Sequence, residues 1–348
     1  MQFVDTHNHL VPDRLVASNF WEIAEYFWLL RHVKAAGYHE NAKELPFDER
    51  AKIYWEAFQK TENTVWCRVL KSIFSDLFGV ELKKASDILT ADEAVKQAFT
   101  EKRSEELIKK TKLVYYVQNV KRLHNSNGNI CVTIPRIEEL ISEWTQALLD
   151  KKDRDFVKKE IASFVSEQDF KGIMSAIPAK TSPTETFMAL DMLCEALSEK
   201  NMYFELFMGV DDGLVYNPEV SDYYSIFEKH DIPFNILTAS ERSNIDVVHA
   251  GNIYKNVYAG GLWWYNFRPS AYFSAMQYRY ENLPMIHSSI IATDARNMEW
   301  CYGKSKLVKE LLADFMLTEM DKGNLDSELA LRICECWLYK SHQNMLGL

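Results

Sequence analysis

Residues 2–10 read QFVDTHNHL, and this stretch decides how the rest of the chain is understood. Phe3, Val4 and Thr6 are aromatic or β-branched, which favours a strand. Side chains two apart on a strand share a face, so His7 and His9 project together, with Asp5 one step deeper on that face. Two neutral imidazoles held this way can share one divalent cation, and a ligating histidine needs its other ring N–H held by an acceptor. Taken alone, the pair reads equally as metal ligands or as two unremarked histidines.

Working outward, seven further short runs carry the strand signature. They are residues 112–118 (KLVYYVQ), 129–134 (NICVTI), 171–177 (KGIMSAI), 202–210 (MYFELFMGV), 233–238 (PFNILT), 256–264 (NVYAGGLWW) and 288–294 (SSIIATD). Many are apolar on both faces, as strands are when a core lies on one side and helices cover the other. Helical periodicity fills the gaps at 137–149, 153–165, 185–200, 222–230 and 270–280. Strands alternating with helices predict an α/β fold, a (β/α)8 TIM barrel. Residues 11–111 are far too long for an ordinary βα connection of about 2–6 residues. Helical patterns at 20–36, 48–59, 65–78, 91–100 and 104–110 predict instead a helical insertion, 19–110, after the first strand. An insertion there lies at the barrel mouth and can act as a lid. The expectation is a single barrel domain spanning 1–348, ending in helices with a turn at Lys322-Gly323-Asn324.

Composition predicts a soluble, globular, acidic protein. The chain has 348 residues, 47% of them hydrophobic, and 40 Lys+Arg against 50 Asp+Glu give a net charge of −10. Such an acidic balance offers no broad field for phosphate backbones, so nucleic acid is not expected as a partner. No apolar run reaches the roughly 18 residues of a membrane span, and the first residues lack a signal-peptide layout. The six cysteines are scattered and form no CxxC pair, which predicts reduced thiols and a cytoplasmic location.

Four other places could carry chemistry. Asp294, at the end of the eighth run (IIATDAR), would face the mouth beside the first strand and complete a His7/His9/Asp294 metal site. It also reads as a helix N-cap. Trp263 and Trp264 in GGLWWYN supply flat apolar faces for sugar C–H groups, although at least one reads better as core packing. Arg31 and Lys34 share a helical face in LLRHVKAAG and could hold a carboxylate or simply be solvated. Arg296 is better placed for a substrate carboxylate, two residues beyond Asp294.

Together these residues resemble the uronate (glucuronate) isomerase family of the amidohydrolase superfamily. DTHNHL resembles the family's first-strand HxH, LLRHVKAAG its lid motif and TVWCRVLKSIFSDLFGV its segment ending LELKRYFGI. GGLWWYN resembles WWFND, ATDAR resembles TDSR and ICECWL resembles ICYNNA, in the same order along the chain. The resemblance implies a metal-dependent barrel that interconverts aldose and ketose uronates. It implies that His7, His9 and Asp294 bind a divalent ion, Zn²⁺ by preference, and that Arg296 and the Trp263–Trp264 strand contact substrate. Arg31 matches the arginine of the lid, and the relatives imply a homo-oligomer. The chain also departs from the pattern. Tyr26-Phe27-Trp28 stands where the family has its lid His and Tyr, Phe207 stands at the fifth-strand His, and residues 303–307 replace an RHEYFRR segment.

The expected reaction is the conversion of a sugar acid of the D-glucuronate type to its ketose. A base removes the C2 proton to give a cis-enediol: Asp294 if the metal holds it loosely, otherwise a metal-bound water, with Tyr265, Asp211 or Asp212 as stand-ins for the absent groups. Hydrolysis of an amide, lactone or phosphoester at the same metal site is the alternative, and a sugar-acid-binding barrel without turnover is a third.

Overall fold

The structure is a computed structural model that describes residues 1–120, 130–167, 169–176, 183–208, 219–263 and 267–347. By contacts the chain divides into two compact units: Met1–Asn8 with Val114–Ala292 and Leu312–Leu348, and His9–Leu113 with Thr293–Leu311.

The first unit contains strands β1 (Phe3–Asn8), β2 (Leu113–Val120), β3 (Cys131–Pro135), β4 (Gly172–Ala176), β5 (Tyr203–Met208), β6 (Phe234–Thr238) and β7 (Val257–Leu262). They form two ladders, β1-β2-β3 and β4-β5-β6-β7, in that order. The pairs β2/β3, β4/β5, β5/β6 and β6/β7 are parallel. Backbone contacts join the ladders into a ring. Ile137 N–H donates to Met174 at 3.0 Å beside a parallel bridge from Arg136, linking β3 to β4. Ser289 N–H donates to Ala259 at 2.9 Å, linking β7 to the segment 288–292. Thr6 N–H donates to Ile291 at 3.0 Å, bringing that segment onto β1. This is the expected α/β barrel, and the seven strand expectations over residues 2–264 hold to within a few residues.

The eighth expectation needs correction. Residues 288–294 form no ladder; Ser288 makes one isolated bridge to Ala259, and Asp294 is left-handed. The reason is a buried arginine. Arg279 is fully buried, and its Nη1 donates to the carbonyls of Ala259 (3.2 Å), Gly260 (2.9 Å) and Ser289 (2.7 Å) and to Ser288 Oγ (3.3 Å). One guanidinium thus binds backbone carbonyls on both sides of the seam.

Helices of the insertion are α1 (Phe20–Ala24), α2 (Phe27–Ala35), α3 (Phe47–Gln59), α4 (Val65–Phe78), α5 (Asp87–Ala98) and α6 (Arg103–Thr111). Further along lie α7 (Glu138–Leu149), α8 (Arg154–Ser166), α9 (Pro183–Lys200), α10 (Tyr224–Lys229), α11 (Glu241–Ile253), α12 (Pro269–Asn282), α13 (Met298–Asp321), α14 (Ser327–Glu335) and α15 (Ser341–Leu346). None is long and apolar enough to cross a membrane. Local signals explain the well-read ends. Thr64 Oγ1 accepts from Cys67 N–H at the start of α4, and Gly79, at φ 66°, ends it in the left-handed region. Helix α11 is unexpected from sequence. Ser240 caps it, but Asn244, Ile245, Val247 and Val248 are weak helix formers, and packing against β6, β7 and α12 overrides them.

The expected continuous helix 20–36 is broken at Glu25–Tyr26. Glu25 is taken by Arg50 (2.6 Å) and Tyr38, and Tyr26 adopts extended ψ of 131°. The break turns the Tyr26 hydroxyl toward Asp294, as described below.

Within the first unit, His342 of α15 is buried and its Nδ1 lies 2.8 Å from the Tyr115 hydroxyl of β2. Burial pushes its imidazole from the ordinary 6.5 down to about 3. The unfolded chain therefore binds a proton here that the folded chain refuses between pH 6.5 and about 3, and stability falls as pH drops through that window. His342→Gln is expected to flatten the pH dependence of the urea midpoint between pH 4 and 6.5, by up to about 1.4 kcal/mol per pH unit. Parallel curves for variant and wild type would assign the acid sensitivity elsewhere.

Candidate active site

Asp294 is the most constrained residue of the second unit. Its φ is +53°, a left-handed conformation that few residues other than Gly, Asn and Asp adopt. Tyr26 O–H donates to its carbonyl at 2.7 Å. On the side chain, His9 Nε2 lies 3.0 Å from Oδ1, and the Trp28 indole N–H donates to Oδ2. The adjoining backbone is tied down as well: His9 N–H donates to Ala295 at 2.8 Å. Lys304 is buried, and its ammonium donates to the Tyr26 hydroxyl (2.9 Å) and to the Thr293 carbonyl, 5.0 Å from both the Tyr26 and Trp66 rings. Asn297, whose Oδ1 accepts from Trp300 N–H at 3.0 Å, caps α13; Asp294 does not.

A cleft of about 770 Å³ opens beside this residue, lined by His9, Trp21, Tyr26, Phe27, Arg296 and neighbours. The two arginines expected at a substrate carboxylate meet on one ring: Arg31 lies 4.4 Å and Arg296 5.7 Å from the Phe27 centroid. Arg31 also covers Trp28 at 4.7 Å. Lys34 is ion-paired with Glu40, and Lys304 is enclosed, so neither of these cations faces the cleft as a free charge.

In the first unit, His7 is buried on β1 with Nδ1 3.4 Å from Glu205 Oε1 of β5. Its ring meets Phe207 edge-on at 4.5 Å and Trp263 at 6.2 Å, and Trp263 packs on Phe207 at 4.4 Å. Asp5, expected behind the histidines, accepts from the Asn8 amide at 3.0 Å. Trp264, Tyr265, Asp211 and Asp212 lie outside the described residues. A second cavity, about 600 Å³, is lined by Lys171, Asn201, Tyr203 and Pro233 at the N-terminal strand ends, away from the end where barrel sites are built.

Sequence reading missed Tyr26, Trp28 and Glu205. The triplet Tyr26-Phe27-Trp28 registers in sequence only as the loss of a His and a Tyr. A phenol at position 26 and a donor-only indole at position 28, just after an N-capped helix, give no sign that their partner stands far along the chain, at position 294.

No protein-family model and no curated protein matches the chain. Solved structures do. The uronate isomerase of Bacillus halodurans C-125 superposes with a TM-score of 0.83 at 17% identity, over 99% of this chain and 93% of that one. The uronate isomerase of Thermotoga maritima gives 0.81 at 13% identity, over 99% and 94%. The glucuronate isomerase of Caulobacter crescentus gives 0.78 at 13% identity, over 100% and 91%. The chain therefore has the fold of the uronate isomerases.

Proposed function

We propose that the chain is a metal-dependent aldose–ketose isomerase of a uronic acid, of the D-glucuronate to D-fructuronate type. The observation that carries this reading is Asp294, held by His9 at Oδ1 and Trp28 at Oδ2, with Arg296 two residues on and lining the cleft. The fold likeness to uronate isomerases supports the same conclusion.

The residues that the sequence reading assigns to the metal, His7, His9 and Asp294, are two imidazoles and one carboxylate, the chemistry of a Zn²⁺ site that leaves positions open; His9 and Asp294 meet within the second unit. A divalent ion bound there would supply Lewis-acid polarisation of substrate oxygens. The chain's own residues do the remainder. Arg296, with Arg31 beside it on Phe27, presents guanidinium donors to the sugar-acid carboxylate. Each carboxylate oxygen has two acceptor positions, so Asp294 Oδ2 can take the Trp28 N–H and still carry a proton from C2 to C1. The Phe27, Trp21 and Tyr26 rings supply apolar walls to the cleft.

The test is metal content of protein purified without chelator, followed by assay on D-glucuronate and D-galacturonate. Ketose formation that needs the metal is expected. A stoichiometric metal with turnover only of amides or lactones would replace this reading with hydrolysis, and no metal with no turnover would leave a binding barrel.

A further inference from the structure

We propose that Glu205 is the positioning residue of His7: its charge beside Nδ1 holds the imidazole in the Nδ1–H tautomer and so leaves Nε2 unprotonated, as the atom able to take a cation. This deepens the metal-site reading and rests on it for the role of Nε2.

The argument starts from the cost of the carboxylate. On β5 the side chains of Tyr203, Glu205 and Phe207 alternate to one face, and Tyr203 and Phe207 belong to the apolar cluster inside the barrel. Glu205 is fully buried among them. An ionised carboxylate in such a place costs several kcal/mol unless it is well provided with donors. Among the described residues, its partners are Asn235 Nδ2 at 3.1 Å, Asn119 Nδ2 at 3.4 Å and His7 Nδ1 at 3.4 Å. Asn235 stands directly across the β5/β6 ladder in register with Glu205. No lysine or arginine is in this set. Two neutral amides orient the carboxylate, and His7 Nδ1 stands at ion-pair distance from it, outside hydrogen-bond geometry.

For His7 the consequence is specific. A neutral imidazole carries one N–H, and free imidazole side chains favour Nε2–H. A carboxylate 3.4 Å from Nδ1 reverses that preference, because its negative charge attracts a proton on Nδ1 and repels a lone pair there. The Nε2 lone pair is then free of its proton, which is the state a ligating nitrogen requires. The edge-on Phe207 ring at 4.5 Å limits rotation of the imidazole, so the tautomer also sets the direction of Nε2. The family's fifth-strand histidine is replaced by Phe207, and the same strand contributes Glu205 two residues earlier.

The experiment uses full-length, cation-free protein labelled with ¹⁵N-histidine. Long-range ¹H–¹⁵N correlation reads each tautomer, and His7 is assigned by the signal lost in His7→Gln. Wild-type His7 is expected as Nδ1–H. In Glu205→Gln, one oxygen replaces two and the Nδ1–H preference is expected to weaken, with Zn²⁺ affinity by calorimetry falling about 10–100-fold. Wild-type His7 found as Nε2–H overturns the proposal without any variant having to fold. An unchanged tautomer and unchanged Zn²⁺ affinity in Glu205→Gln overturn it as well. A wild-type Nδ1–H tautomer in a protein that binds no Zn²⁺ would leave the positioning intact and defeat the metal-site reading instead.

Discussion

Asp294→Asn is expected to lower turnover of D-glucuronate by about two to four orders of magnitude, the usual contribution of a positioned proton carrier. The substitution keeps volume and shape, so its effect comes from the atoms. Both Asp294 oxygens face nitrogen atoms, His9 Nε2 at one and the Trp28 indole at the other. An indole N–H can only donate, so an asparagine keeps its oxygen there and turns its NH₂ toward His9 Nε2. The variant therefore loses a negative charge at the site and replaces the acceptor facing His9 with a donor. Trp28→Phe keeps the aromatic body and removes the donor alone. A hydrogen bond to a charged group is worth about 1.5–3 kcal/mol, so kcat/KM should fall about 10–100-fold. Steady-state kinetics with Zn²⁺ titration of both variants provides the check. Wild-type rates in Asp294→Asn would remove this residue from the chemistry.

Arg279→Met should produce the largest loss of stability, about 3 kcal/mol or more. It removes the donor to three backbone carbonyls and to Ser288 Oγ, and its Nε bond to Asn244 Oδ1 at 2.8 Å. Each buried acceptor left without a donor costs about 1–3 kcal/mol; Ala259 keeps the Ser289 N–H, so the loss falls on the other acceptors. Against this stands the relief of an expensive charge, since burial pulls the guanidinium from 12.5 down to about 9. The acceptors outnumber the charge, and destabilisation wins. Hydrogen exchange should localise the damage. The amides of Ser289 and Thr6, which close the ring on either side of the segment 288–292, should lose protection first. A variant within 0.5 kcal/mol of wild type in urea denaturation would mean that the charge cost cancels the bonds.

Much of the fold is legible in the chain because its signals are local. Helix α4 has its cap and its terminating glycine within its own span, and both ends are read correctly. Strands β1 to β7 announce themselves as short β-branched and aromatic runs. The misread places share a cause. The segment 288–294 has strand composition, but its pairing is taken over by Arg279, a side chain on another element. Helix α11 has poor local propensity and is paid for by packing. The helix expected at 20–36 breaks because Tyr26 has a partner at Asp294.

By itself, the sequence determined the chemistry on offer: the HxH pair on the first strand, a carboxylate at position 294 with an arginine two residues later, and an α/β alternation able to bring them to one end of a barrel. The first of these depends on residue type and on a spacing of two, which strand geometry translates into a shared face; at position 294 the sequence carries residue type alone, because the backbone there is left-handed. Only the tertiary structure decided how the groups are held. Trp28 and Tyr26 secure Asp294, and Glu205 stands at His7, through contacts spanning hundreds of residues. Periodicity carries no information about such contacts, because a hydrogen bond between distant segments depends on where the completed fold delivers two atoms.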